Sequence, residues 1–175
     1  MNVILCGMMG AGKTTIGIKI AELTGKRWYD TDQMIMDKYG KISDLFEYYG
    51  EEHFRRLETE VVKGLAEKDG LVISSGGGLV LIPSNCERLK ANGKIVFLRA
   101  KPETLVKRLQ IYEDKTLLQA NSGMVAQRLK ELMATRTPVY ELVADYIVDV
   151  DEKPTEETAK EIVRLIGETE GTCTQ

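Results

Sequence analysis

Gly7-Met8-Met9-Gly10-Ala11-Gly12-Lys13-Thr14 follows a short apolar run, Val3 to Cys6, and opens a stretch from Lys13 to about Leu23 whose apolar residues recur at helical spacing. The pattern is G-x-x-x-x-G-K-[ST], and a strand before it with a helix after it is the context that gives the motif meaning. Glycines tolerate backbone angles that other residues resist. The turn they permit aims successive N–H groups inward, and the helix that follows adds the positive end of its dipole. Gly10, Ala11, Gly12, Lys13, Thr14 and Thr15 are therefore the expected ATP-phosphate ligands. Lys13 is placed to reach the β- and γ-phosphates, and the Thr14 hydroxyl to ligate Mg²⁺. An Asn-Lys-x-Asp guanine-reading motif and the G-x-G-x-x-G dinucleotide spacing are both absent from the sequence.

Outward from this loop, strands and helices alternate. Thr24-Gly25-Lys26 ends the first helix, with Gly25 as its stop. Arg27 to Tyr29 reads as a second strand, ending at Asp30-Thr31-Asp32, and Met34 to about Tyr39 as a helix halted by Gly40. Ser43 is expected to cap a helix from Asp44, interrupted at Gly50 and continued from Glu51 to Lys68 with Phe54, Leu57, Val61 and Leu65 on one face. Leu71 to Ser74, apolar through Ile73, reads as a strand that leads to Gly76-Gly77-Gly78, as a strand covered on both faces does. A helix from Ser84 to Asn92, a strand from Lys94 to Leu98 and a helix with Pro102 in its first turn follow.

Ile111 to Gly123 is polar and less regular. Met124 to Val143 reads as a long helix kinked or broken at Pro138, Tyr146 to Val150 as a fifth strand, and Thr155 to about Ile166 as the last helix. The remaining tail, about 168–175, reads as disordered. The expected fold is α/β, a three-layer, doubly wound, five-stranded parallel sheet in one domain spanning 1–175. The segment at about 33–68 is the expected acceptor-binding cap, and 111–123 the expected lid.

Composition narrows the function. The 175 residues are 43% hydrophobic and 29% charged, with a formal net charge of −3. That balance, with no long Lys/Arg run, argues against nucleic acid as a partner. No apolar run reaches the length of a membrane span, so no membrane partner is expected. Cys6, Cys86 and Cys173 lack metal-site spacing and read as free thiols in a reducing cytoplasm. His53, the sole histidine, reads as a helix-surface residue. A monomer is the expected state.

Asp30-Thr31-Asp32, Phe54-Arg55-Arg56, Gly76-Gly77-Gly78 and Arg136-Thr137-Pro138-Val139-Tyr140, in this order and with the phosphate loop before them, resemble the motif set of the shikimate kinases over about residues 2–150. The resemblance implies transfer of the γ-phosphoryl of ATP to the 3-hydroxyl of shikimate, with Mg²⁺, on the route to chorismate. Lys13, Asp32 and Arg136 are then the expected catalytic set. Asp32 would take or orient the acceptor hydroxyl, and Asp30 would join Thr14 at the Mg²⁺, directly or through water. Arg55 and Arg136 would clamp the acceptor carboxylate with two-pronged donors. Glu58, three residues after Arg55, would hold that arginine and touch an acceptor hydroxyl, although the spacing equally fits a surface ion pair. Gly76, Gly77 and Gly78 would let the acceptor ring approach the backbone, and Arg108 would pack on the adenine.

One departure stands out. The family's lid carries Arg-Pro-Leu-Leu, and this chain has Lys115-Thr116-Leu117-Leu118. Lysine keeps the charge and loses the fork, so Lys115 is expected to reach the ATP phosphates with poorer orientation. Other readings stay open at this stage: a P-loop kinase for gluconate or a nucleoside monophosphate, or a nucleotide switch without turnover.

Overall fold

A computed structural model of the chain describes residues 1–112 and 122–170. In chain order the elements are β1 (Asn2–Cys6), α1 (Lys13–Thr24), β2 (Arg27–Asp30), α2 (Thr31–Tyr39), α3 (Ile42–Ala66) and β3 (Leu71–Ser74). A 3₁₀ turn (Leu79–Leu81) leads to α4 (Pro83–Ala91), β4 (Gly93–Arg99), α5 (Pro102–Tyr112), α6 (Ser122–Val143), β5 (Tyr146–Asp149) and α7 (Thr155–Glu170). The strands form one parallel sheet in the order β2-β3-β1-β4-β5.

The apolar pattern explains the order. Every residue of β1 and of β3 is buried, as strands sandwiched between helical layers must be, whereas the edge strands β2 and β5 are partly exposed. Helix α1 packs on α7 and β3, and α3 packs on α4. The main core runs through Ile4, Leu5, Ile20, Ile73, Ile95 and Leu98. A smaller cluster of Ile35, Leu45, Phe54 and Leu57 holds α2 against α3. Because all strands point the same way, the phosphate loop, the Asp-Thr-Asp end of β2 and the glycine triplet after β3 gather at one rim of the sheet. Among the described residues no helix is long and apolar enough to cross a membrane.

Four local expectations are corrected. Helix α2 starts at Thr31 rather than Met34, because the Asp30 side chain caps it by accepting from the Asp32 and Gln33 N–H groups. Ser43 does not cap α3. Lys41 holds that position, and Ser43 lies inside the first turn with its hydroxyl toward Asp44. Gly50 does interrupt α3, with φ 79° and ψ 172°. Helix α6 runs through Pro138 without a break; Pro138 is exposed, and fully buried Tyr140 anchors the chain just beyond it. Helix α7 continues through Glu170, a turn past its last buried anchor, Ile166, so 168–170 are helical rather than disordered. Most of the expected lid, 113–121 with Lys115, lies outside the described residues, as do 171–175 with Cys173. Cys6 and Cys86 are free and buried.

Candidate active site

The phosphate loop is built as its glycines require. Gly7, Gly10 and Gly12 have φ of 143°, 81° and 93°, a region that side chains with a Cβ resist. The Lys13 ammonium folds back over the loop and donates to the Gly7 and Met8 carbonyls at 2.9 and 3.0 Å. Burial holds its pKa below the usual lysine range, against the attraction of Asp32. The Thr15 hydroxyl donates to Gly12 at 3.1 Å. Ala11 is buried, so its backbone is what it offers to a ligand.

A cleft of about 610 Å³ opens on this loop. Lys13, Thr14, Asp30, Asp32, Ser75 and Arg108 line it, together with Lys153, Thr155 and Thr158. The Thr14 hydroxyl donates to Asp30 Oδ2 at 2.9 Å. These two hard oxygen donors suit Mg²⁺, which keeps several waters and takes further ligands from phosphates. Among the described residues no group of three or more His, Cys, Asp or Glu forms a metal cage. Arg108 donates to the Gly10 and Ala11 carbonyls at 3.3 Å each and to Val150 at 2.7 Å. The guanidinium thus ties the phosphate loop to the turn after β5, at the cleft wall.

Asp32, Arg55, Glu58 and Arg136 meet over the glycine triplet. Gly76 lies beneath Asp32 and Glu58, where a Cβ would collide with the Asp32 carboxylate. A Cβ on Gly77 would stand 3.0 Å from Arg136 Nη1, and one on Gly78 would overlap the Arg55 guanidinium. The triplet is a floor whose lack of side chains makes room for two arginines and two carboxylates. Arg55 donates to Glu58 at 2.7 Å. Glu58 is 1% exposed, so the surface ion pair that its spacing allowed is not what forms. Burial raises its pKa, against the stabilising Arg55 hydrogen bond. Burial also raises the pKa of Asp32, reinforced by Asp30 and opposed by Lys13 and Arg55. Arg56 points elsewhere, paired with Glu52 at the surface.

Four supporting residues escaped the sequence reading. The Trp28 indole N–H donates to Ser74 Oγ at 3.0 Å, and Ser74 donates on to the Lys13 carbonyl at 2.8 Å. That relay ties the root of the phosphate loop to β2 and β3. Thr31 Oγ1 accepts from the Gly76 N–H at 2.8 Å, and the Tyr140 hydroxyl donates to the Gly77 carbonyl at 2.5 Å. Burial pushes the Tyr140 phenol up to about 12, so it stays a donor at neutral pH. Thr31 and Tyr140 lie inside motifs already singled out, which was the available signal. Nothing in the order of residues reveals that Trp28 and Ser74 face each other across adjacent strands.

Comparison with known proteins agrees with the geometry. The family model described as shikimate kinase matches residues 9–167. The shikimate kinase of Caldanaerobacter subterraneus subsp. tengcongensis is 39% identical over 164 residues, 93% of this chain and 94% of that protein. The shikimate kinase of Nitrosococcus oceani is 37% identical over 175 residues, 99% and 91% of the two chains. The structure of Acinetobacter baumannii shikimate kinase in complex with shikimate superposes with a TM-score of 0.85 at 38% identity, covering 96% of this chain and 93% of that one. The chain belongs to the shikimate kinase family.

Proposed function

We propose that this protein transfers the γ-phosphoryl of ATP to the 3-hydroxyl of shikimate, giving ADP and 3-phosphoshikimate. The observation that carries the reading is the convergence of Asp32, Arg55 and Arg136 on the Gly76–Gly78 floor, beside a phosphate loop. Family relatives at 37–39% identity over most of both chains support it.

Each residue has a task in this reading. The loop N–H groups, with Lys13, hold the β- and γ-phosphates and stabilise charge on the transferring group. Thr14 and Asp30 hold Mg²⁺, which when bound neutralises phosphate charge. Arg55 and Arg136 grip the acceptor carboxylate, which fixes the ring. Asp32 then faces the hydroxyl and orients it, or takes its proton as transfer proceeds. Glu58 keeps Arg55 in place and faces an acceptor hydroxyl. Arg108 stands at the adenine end, and Lys115 is assigned to the phosphates when the lid closes. The chain acts as a monomer in this reading, in the cytoplasm.

The test is ADP release with Mg-ATP in parallel reactions containing shikimate, gluconate, several nucleoside monophosphates or no acceptor. A strong rise with shikimate alone is expected. ATP binding without a rise on adding shikimate overturns the assignment in favour of another acceptor or a switch.

A further inference from the structure

The glycine floor carries four functional side chains above it, so its own position needs an account. A run of three glycines is the least restrained backbone a chain can present. Without anchors it samples several conformations, and Asp32, Arg55 and Arg136 above it lose a fixed seat. The following turn ties the Gly76 and Gly78 carbonyls to the Leu79 and Leu81 N–H groups, and two further anchors come from other elements. Thr31, the first residue of α2, is fully buried, and its hydroxyl accepts from the buried Gly76 N–H. Tyr140, from α6, is also fully buried, and its hydroxyl donates to the next residue's carbonyl, at Gly77. One bond restrains the N–H of the first glycine, and the other the carbonyl of the second. Together they fix the orientation of both peptide planes that bracket the Gly76–Gly77 link.

Neither hydroxyl serves general packing alone. Valine would fill the Thr31 site with the same shape and leave a buried N–H unpartnered. Phenylalanine would fill the Tyr140 site and keep the Phe97 ring contact at 5.2 Å, but would free the Gly77 carbonyl and remove the hydroxyl's hydrogen bond with Arg136. Position also matters. Thr31 lies between Asp30, bonded to Thr14 of the phosphate loop, and Asp32, which overhangs Gly76. The Asp-Thr-Asp tripeptide thus touches the metal-side hydroxyl, the floor and the acceptor space with three successive residues.

We infer that Thr31 and Tyr140 are positioning residues for phosphoryl transfer, pinning the Gly76–Gly77 backbone on which the acceptor and its arginine clamp are seated. The inference rests on the shikimate kinase reading above. It assigns neither residue a contact with substrate.

The test compares Thr31→Val, Thr31→Ser and Tyr140→Phe with wild type in steady-state kinetics, varying shikimate and ATP separately. Thr31→Val is expected to raise the shikimate KM about tenfold, the cost of one buried, unpaired amide. The ATP KM is expected to move less than about twofold, since the phosphate loop keeps its bonds. Thr31→Ser should recover most of the loss, and Tyr140→Phe, which frees the Gly77 carbonyl and also the Arg136 contact, should raise the shikimate KM at least as much as Thr31→Val. Equal losses for both substrates, no loss at all, or a serine variant no better than valine overturns the inference. Amide exchange at Gly76 in the ligand-free protein provides a readout that needs no acceptor. Faster exchange in Thr31→Val than in wild type and Thr31→Ser supports the pin, and equal exchange overturns it. If wild type binds ATP but not shikimate, the functional reading fails on its own, and the exchange result still decides whether the pin exists.

Discussion

Arg55 donates from one edge of its guanidinium to Glu58 at 2.7 Å and from the other to Glu51 at 3.0 Å, and the two acceptors differ in environment: Glu58 is 1% exposed and Glu51 67%. Only the first pairing resists screening by water and salt. An exposed i,i+4 pair contributes little, while a buried charge-assisted bond fixes geometry. In the proposed reading an acceptor carboxylate displaces Glu51 and leaves Glu58 in place.

This asymmetry makes a paired prediction. Glu58→Gln weakens the grip on Arg55 by about 1.5 kcal/mol, the scale of one charge-assisted hydrogen bond, and should raise the shikimate KM about tenfold. Glu51→Ala should leave that KM within about twofold. Initial-rate kinetics on both variants decide the matter. A larger effect at Glu51 than at Glu58 would mean that the exposed edge, not the buried one, orients the arginine.

Gly17 sets a second test, because two effects oppose each other there. It lies within α1, where alanine is favoured over glycine by about 1 kcal/mol. Yet a Cβ at Gly17 would stand 2.6 Å from Ser74 Oγ and 2.7 Å from Trp28 Nε1. Those atoms belong to the relay that reaches the Lys13 carbonyl, and both side chains project from strands that cannot retreat. Overpacking costs about 1–3 kcal/mol, and the broken Trp28–Ser74 bond about 1 more. Gly17→Ala should therefore be destabilising by about 1–3 kcal/mol in urea denaturation, with weaker ATP binding. Trp28 is the only tryptophan, so its emission reports the displacement directly. A more stable variant would show that the indole yields and the relay is dispensable.

The sequence made the rim of the sheet legible because each part of it has a local signature. A loop with Gly at 7, 10 and 12 has few conformations open to it, and a strand whose Leu71, Val72 and Ile73 run apolar without alternation has one place to go. Asp32, Arg55 and Arg136 were legible through motif resemblance, and the folded chain brings them to one floor. What was not legible depends on distance along the chain. The Thr31–Gly76 and Tyr140–Gly77 bonds span 45 and 63 residues, and no local pattern encodes such contacts. The burial of Glu58 was hidden for a related reason. An i,i+3 Arg–Glu spacing is the same on a wet helix face and a dry one, and only the packing of α3 over the glycine floor separates them. The helix past Pro138 shows tertiary anchoring at Tyr140 overriding a local breaker.

Asp32 provides the last prediction, in which stability and function oppose each other. Burial raises its pKa, and the neighbouring Asp30 charge adds to the rise, against Lys13 and Arg55. A carboxyl whose folded pKa exceeds its unfolded value near 4 binds its proton more tightly in the native state. Its contribution to stability is fully present below the unfolded value and is lost as pH rises through the elevated folded one. At neutral pH an ionised Asp32 is therefore a cost to the fold. Asp32→Asn removes the charge at nearly constant shape and should raise the melting temperature at about pH 7.5 by roughly 2–4 °C, equivalent to about 1 kcal/mol. That gain should shrink as pH falls through the folded value and vanish by about pH 3, below the unfolded value, where the wild-type carboxyl is protonated in both states. Turnover should fall at least about 100-fold at every pH, because the amide neither takes the hydroxyl proton nor orients it with a charge. Thermal melts of both proteins across this range, with activity measured alongside, separate the alternatives. A lower melting temperature for the variant at neutral pH would mean that Lys13 and Arg55 together outweigh burial and Asp30, and that the carboxylate is held for the stability of the fold as well as for the acceptor.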